Sequence, residues 1–157
     1  MISNSDMIID RTQEDLNSAI FIRDNLVKKF QTLSNEQIKT MERGTMTCNT
    51  LNRIEQKQEE LKRLINPMGY WNTNIAHKTD WTVGDIFTEA DYQRIIDNEN
   101  VLRKAFFTYS DTPETPLISF HYDDLNALEK ILVDLDVMIN DVKSNYRQCG
   151  AFTCGEE

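Results

Sequence analysis

One apolar repeat in the C-terminal part constrains the fold of this chain most strongly. Between residues 122 and 146, apolar side chains recur at alternating intervals of three and four: Leu125, Leu128, Leu132, Leu135, Ile139, Val142 and Tyr146. This spacing puts them on one stripe of an α-helix, and such a stripe needs other helices to cover it. Aspartates occupy much of the opposite face. The repeat therefore predicts a long amphipathic helix that packs against other helices.

Four further helices are predicted from periodicity and from start and stop signals. Their expected spans are 12–33, 34–44, 48–65 and 89–107. Ser34 and Gln37 form a capping box for the second helix, Gly44 ends it, and Pro67 ends the third. In the first helix, the expected core contacts are Leu16, Ile20, Val27 and Phe30. The predicted class is mainly α: a helical bundle of about three long helices plus shorter ones, with a loop-rich aromatic middle segment and an extended C-terminal tail.

Breaks in the helical pattern divide the chain into four parts. A length of 157 residues fits one domain. The parts are an N-terminal helical region (1–66), an aromatic connecting segment (67–87), a C-terminal helical hairpin (88–147) and an extended tail (148–157). For the connecting segment, we expect short strands or a packed functional loop.

Charge and composition disfavour several partners. The chain has 26 acidic residues against 17 Lys plus Arg, a formal net charge of −9. Nucleic acids and anionic membranes need a local excess of cations, so we expect neither as a partner. Lys57, Lys62 and Arg63 alternate with Glu59 and Glu60, which is typical of a solvated helix face.

The same composition predicts a protein made in the cytoplasm. No apolar run reaches the length that spans a bilayer, and the first residues lack the pattern of a signal peptide. An odd number of cysteines, three, fits reduced thiols better than disulfides.

Residues typical of catalysis or metal binding are few. Of the two histidines, His77 lies in the middle loop and His121 at a helix start. Cys149 and Cys154 are five residues apart and Cys48 is distant, which does not match zinc-ligand spacing. The glycines are scattered, so no phosphate-binding loop is indicated. We predict no enzyme, no cofactor and no metal site.

One kind of helix start occurs three times, at unequal intervals that argue against a solenoid of stacked repeats. Thr47, Thr88 and His121 occupy the N-cap positions, where a side-chain acceptor binds a free backbone N–H. A large apolar residue before each cap can pack on the fourth helical residue as a hydrophobic staple. The staple pairs are Met46 with Leu51, Phe87 with Tyr92, and Phe120 with Leu125, and they are followed by Asn52, Gln93 and Asn126.

Large side chains outside the helical periodicity are the candidate interface residues. They are Tyr70, Trp71 and Trp81 in the middle segment, and Phe152 and Thr153 in the tail. One interpretation is that they cover the ends of the bundle, and the other is that they anchor a protein interface, where aromatic residues contribute most. Residues 151–153 also alternate as a short strand does, so the tail can pair with another subunit.

The stretch "DWTVGDIFTEADYQRIIDN" resembles a pattern in structural proteins of tailed-bacteriophage tails and baseplates, and of related prophages and contractile particles. There, a Trp and a Gly-Asp precede a Thr-capped helix that reads roughly Leu-Asn-Arg-Ile-Glu. The matching residues are Trp81, Gly84, Asp85, Thr88 and Arg94. Tyr92 and Ile96 depart from the usual Leu and Glu, but "TCNTLNRIE" contains the complete Leu-Asn-Arg-Ile-Glu sequence. "MIIDRTQEDL", "DDLNALEKILVDLD" and "CGAFTCGE" are also similar to such proteins.

The resemblance implies a virion protein without catalytic residues. We expect a non-enzymatic tail or baseplate subunit that binds other virion proteins, in multiple copies of a symmetric assembly. It is a candidate to connect a fibre or receptor-binding protein to the tail. The alternative is a soluble acidic effector that binds a basic host or phage protein as a nucleic-acid mimic.

Overall fold

The structure is a computed structural model that describes residues 2–68, 75–116 and 121–149, with side chains of the last helix described up to residue 145. Within these ranges the chain forms five α-helices: α1 (Gln13–Asn25), α2 (Asn35–Gly44), α3 (Cys48–Ile65), α4 (Glu89–Ala105) and α5 (Tyr122–Cys149). Short 3-10 turns occur at Asn4–Asp6, Val27–Lys29 and Asn66–Met68. No strand occurs in the described ranges, and the mainly α class is confirmed.

Side chains cap the starts of α1 to α4. At α1, Thr12 forms a capping box with Asp15. Ser34 and Gln37 form the predicted capping box of α2. The Thr47 hydroxyl accepts the Thr50 N–H, and Thr88 forms a capping box with Asp91. At the start of α5, the predicted cap His121 acts through its backbone instead: its carbonyl accepts the Asp124 N–H at 3.1 Å and its N–H donates to the Asp124 carboxylate at 3.3 Å, while its imidazole lies 3.1 Å from Asp123.

Helix α1 ends earlier than predicted, and its end exposes an aromatic ring. Asn25 is its last residue; after the turn Val27–Lys29, Phe30 adopts the left-handed conformation with φ 57°. The Gln31 N–H then donates to the Leu26 carbonyl, which closes a Schellman-type end. The expectation that Val27 and Phe30 are core residues is wrong, because the chain turns away from the core before it reaches them. Ala19 and Ile22 are the buried residues of α1.

The core lies where α3, α4 and α5 pack on one another. Every apolar residue predicted for the α4 stripe is buried: Tyr92, Ile95, Ile96, Leu102 and Phe106. The predicted stripes of α3 and α5 are buried from Leu51 to Ile65 and from Leu125 to Ile139. Val142 is half-buried, and the Tyr146 side chain lies outside the described residues.

Helices α1 and α2 form a hairpin with close backbone contact. A Cβ atom built on Gly44 would lie 2.2 Å from the Asp15 carbonyl oxygen and 2.4 Å from the Cβ of Ala19. Gly44 is the last residue of α2 and Thr45 is its C-cap. Glycine therefore permits the crossing of the two helices in addition to marking the helix end.

The predicted solvated face of α3 is only partly solvated, because Lys57 is buried. Its Nζ donates to the Ile2 carbonyl at 3.0 Å and pairs with Asp136 of α5 at 3.3 Å. This lysine lies between the N-terminal residues and α5, a placement that local charge alternation does not reveal. Arg63, by contrast, is exposed and pairs with Glu59 one turn away.

Candidate functional site: two matched clamps and an apolar groove

Asn52 and Glu55 of α3, here called the α3 clamp, hold the loop of residues 75–88. The Asn52 side chain accepts the Trp81 N–H at 2.7 Å and donates to the Trp81 carbonyl at 2.9 Å. Glu55 accepts the Lys78 N–H and, at 2.8 Å, the indole N–H of Trp81. One amide side chain thus satisfies both backbone polar groups of a buried residue, as a neighbouring strand would.

Asn126 and Glu129, the α5 clamp, hold the N-terminal segment in the same way. Asn126 accepts the Arg11 N–H and donates to the Arg11 carbonyl, both at 3.0 Å. Glu129 accepts the Ile8 N–H and, at 2.6 Å, the guanidinium of Arg11. In each clamp the Glu lies three residues after the Asn, and the captured residues are three apart.

The captured segments also match in sequence. "DRTQED" at 10–15 and "DWTVGD" at 80–85 share Asp, Thr and Asp at equivalent positions. After each captured residue, a Thr N–H donates to an Asp carboxylate three residues on: Thr12 to Asp15 at 2.8 Å, and Thr82 to Asp85 at 2.6 Å. The chain therefore contains the same capture arrangement twice, at positions far apart in sequence.

A neighbouring helix supplies an arginine to each clamp. Arg94 of α4 donates to Glu55, and Arg53 of α3 donates to Glu129 at 2.7 Å. Both arginines occupy the same helix position: Arg53 lies two residues after Leu51, and Arg94 lies two residues after Tyr92. The start of α4 differs from those of α3 and α5, because its Gln93 is exposed and bonds to Asp97 of the same helix. Its arginine completes the α3 clamp instead.

Burial makes these charged contacts specific. The side chains of Glu55, Glu129 and Arg11 have no exposed surface. Burial lowers the pKa of the Arg11 guanidinium from its usual value, and the adjacent Glu129 carboxylate opposes that shift. Hydrogen bonding to Glu55 raises the pKa of Arg94. A buried ion pair adds little net stability, but loss of one partner is costly, so these groups select one arrangement of the segments.

The α3 clamp holds the loop in place and leaves its tip exposed. Trp81 is buried, its ring lies 5.5 Å from that of Phe87, and the Lys78 ammonium lies 4.0 Å above it. Between these fixed points, Val83 is 97% exposed and Ile86 is 84% exposed. The loop therefore presents two apolar side chains at a defined position.

An apolar groove of about 730 Å³ lies beside this loop. It is bounded by α2, by the first residues of α3 and by the loop. Its apolar lining includes Leu33, Ile38, Met41, Met46 and Phe87. The charged residues that line it are Glu42 and Asp85, both acidic.

The structure changes the interpretation of one predicted interface residue. Trp81 is only 5% exposed and belongs to the core, so its ring is not available as a surface anchor. It anchors the loop internally, because its indole N–H finds a buried acceptor. Tyr70, Trp71, Phe152 and Thr153 lie outside the described residues, and so does Phe120 of the third staple pair.

The other staple residues are in the described part of the chain. Phe87 packs against the buried cluster that contains Tyr92, and Met46 packs against the cluster that contains Leu51. Leu125 is buried.

The two clamps were not predicted, although their signal is present in the sequence. Asn52 and Asn126 align at equivalent helix positions, and Glu55 and Glu129 follow each by three residues. The doubled Asp-x-Thr-x-x-Asp pattern marks the captured segments. Only the folded chain shows that the Asn and Glu side chains bind these segments.

Comparison with known proteins found no match to a family model, to a curated protein or to a solved structure. Among the described helices, none has the length and apolar character needed to cross a membrane. Residues 2–68, 75–116 and 121–149 contain no group of three or more His, Cys, Asp or Glu placed to hold a metal ion.

Proposed function

We propose that this chain is a non-enzymatic structural subunit of the tail or baseplate of a phage or phage-like particle. The observation that carries the proposal is the α3 clamp. Trp81 and Arg94, two residues of the stretch that resembles tail and baseplate proteins, both bind Glu55. Glu55 is the last residue of "LNRIE", the other part of that pattern. Three of the residues behind the resemblance, Glu55, Trp81 and Arg94, therefore meet at one structural site.

The arrangement suits a connector. A connector must present a loop to its neighbour at a fixed angle, since ordering a mobile loop on binding costs free energy. The clamp supplies that order within the chain, and Val83 and Ile86 supply exposed apolar contact surface. Helices α3, α4 and α5, which pack on one another, support the loop.

The proposed partners are other virion proteins, including a fibre or receptor-binding protein that this subunit joins to the tail. The subunit acts in multiple copies of a symmetric assembly, is made in the bacterial cytoplasm and ends in the virion. Neither nucleic acid nor membrane is a partner, in keeping with the net charge of −9. Coding sequences for sheath, baseplate or fibre proteins beside this one would support the proposal.

The test is incorporation into particles. We expect the double variant Val83→Asp, Ile86→Asp to reduce the amount of this protein in purified particles at least about tenfold, by immunoblot, because charges replace apolar contacts. Phe107→Asp is the matched control, since Phe107 is an exposed apolar residue outside the loop. Circular dichroism of the isolated variants checks that each remains folded.

Two results would count against the proposal. Equal incorporation of the double variant and the control would remove the loop from the interface. Absence from particles, together with binding to a basic protein that weakens steeply as salt rises, would favour the acidic mimic, because its contacts are screened charge pairs.

A further inference from the structure

The turn between α1 and α2 carries an aromatic side chain that folding does not explain. Phe30 is 98% exposed and has φ 57°. This left-handed conformation is disfavoured for residues other than glycine. Glycine or asparagine is the usual residue at this position of a helix end. The chain therefore retains a large apolar group at a site where it adds strain and covers no core.

The surroundings of Phe30 are basic and apolar. Lys28 and Lys29 precede it, and Val27 is also exposed. Lys28 pairs with Asp24 one turn earlier in the chain. In a chain with a net charge of −9, this hairpin tip (residues 26–31) is a local basic site with an apolar side chain at its end.

The groove beside the loop has the complementary character. Its walls are apolar, and its charged lining residues, Glu42 and Asp85, have the opposite sign to the tip. Glu42 accepts a hydrogen bond from Asn49, and Asp85 pairs with Lys78 at 3.0 Å, so both carboxylates are held at the groove. A volume of about 730 Å³ accommodates an aromatic side chain with its neighbours.

Tip and groove are adjacent on the molecule. Thr32 and Leu33, which line the groove, follow Phe30 within three residues. A patch that carries both a projection and a matching groove is self-complementary. In a two-fold dimer, residue i of one copy contacts residue j of the other, and j contacts i.

We propose that two copies of this chain associate through this patch, with Phe30 of each copy inserted into the groove of the other. The contact buries the strained aromatic side chain and brings Lys28 and Lys29 towards Glu42 and Asp85. It goes beyond the proposed virion role, because it concerns the isolated protein and holds whatever particle the chain belongs to.

The test measures self-association of the full chain by sedimentation equilibrium over a range of concentrations. Phe30→Gly removes the projection and relieves the left-handed strain, so the variant stays folded. We expect its dimer dissociation constant to rise at least about tenfold. Ile38→Asp places a charge in the groove of an otherwise unchanged chain and should have the same effect. Phe107→Ala, at an exposed aromatic outside the patch, should associate like the parent protein.

A mixture of the two variants separates this contact from general hydrophobic association. Phe30→Gly keeps an intact groove and Ile38→Asp keeps an intact projection, so a mixed pair retains one of the two contacts. We expect the mixture to dimerise more tightly than either variant alone and more weakly than the parent. A parent protein that stays monomeric, a Phe30→Gly variant that dimerises like the parent, or a mixture no tighter than its components would each overturn the proposal.

Discussion

Replacement of Asn52 by alanine tests whether the α3 clamp holds the loop. In the folded chain, the Asn52 side chain binds both the N–H and the carbonyl of Trp81, a buried residue. Alanine leaves both backbone groups without this partner. A buried polar group that loses its hydrogen bond costs about 1–3 kcal/mol. Because Asn52 is half-buried and water reaches part of the site, we expect a loss near the lower end of the sum, about 2–4 kcal/mol.

Gln93→Ala is the matched control. Gln93 occupies the equivalent position at the start of α4, but it is exposed and donates to Asp97 of its own helix. The expected cost is about 0.2–0.5 kcal/mol, the contribution of such a pair on a helix surface. Asn126→Ala, in the α5 clamp, should resemble Asn52→Ala because Asn126 makes the same two bonds to Arg11.

Urea unfolding followed by circular dichroism gives the three free energies. Hydrogen exchange adds a local measurement, since the Trp81 amide should be protected in the parent protein and lose protection in Asn52→Ala. If Asn52→Ala and Gln93→Ala differed by less than about 0.5 kcal/mol, within the range of ordinary surface substitutions, the clamp would not be a structural device.

Three further predictions concern the stability of the fold. Burial raises the pKa of Glu99 in the folded protein from 4.5 to about 8. The stability that the protonated carboxyl group contributes is therefore complete below pH 4.5 and is lost as the pH rises through 8. Glu99→Gln should remove this part of the decline in urea-unfolding free energy with pH; an unchanged pH profile would refute the assignment. Gly44→Ala should destabilise by about 1–3 kcal/mol because its Cβ would meet the Asp15 backbone, whereas Gly84→Ala should cost little, because its Cβ would lie 3.9 Å from the Thr82 hydroxyl oxygen, an ordinary van der Waals contact. Phe87→Ala should cost about 1–3 kcal/mol through lost packing near Tyr92, measured by thermal unfolding, and an unchanged melting temperature would contradict the staple.

Caps and apolar periodicity in the sequence predicted α3 and α4 correctly. The bounds of α3 were predicted to the residue, and the apolar stripes of α3 and α4 are buried throughout. Periodicity failed in α1, where Val27 and Phe30 continue a helical pattern although the helix ends at Asn25. Phe30 adopts the left-handed conformation at this turn, and no glycine at that position indicates the turn in the sequence.

The candidate site could be predicted only in its parts. The Asn and Glu pairs and the Asp-x-Thr-x-x-Asp segments are readable in the sequence. Their pairing is not, because Ile8 and Glu129 are separated by 121 positions. The same reason applies to Trp81: its aromatic character fits either a cover for the bundle ends or an interface anchor, and only the folded chain shows that the buried Glu55 carboxylate accepts its indole N–H.

The sequence by itself determined where the helices start and which faces of α3, α4 and α5 are apolar, because caps and stripes depend on residues three or four positions apart. Only the tertiary structure decided which segments the two clamps capture, why Lys57 and Trp81 are buried, and that Phe30 is exposed. Those outcomes depend on contacts between distant parts of the chain. The free energy of a charged or polar group is set by whether such a contact supplies its partner when water is removed.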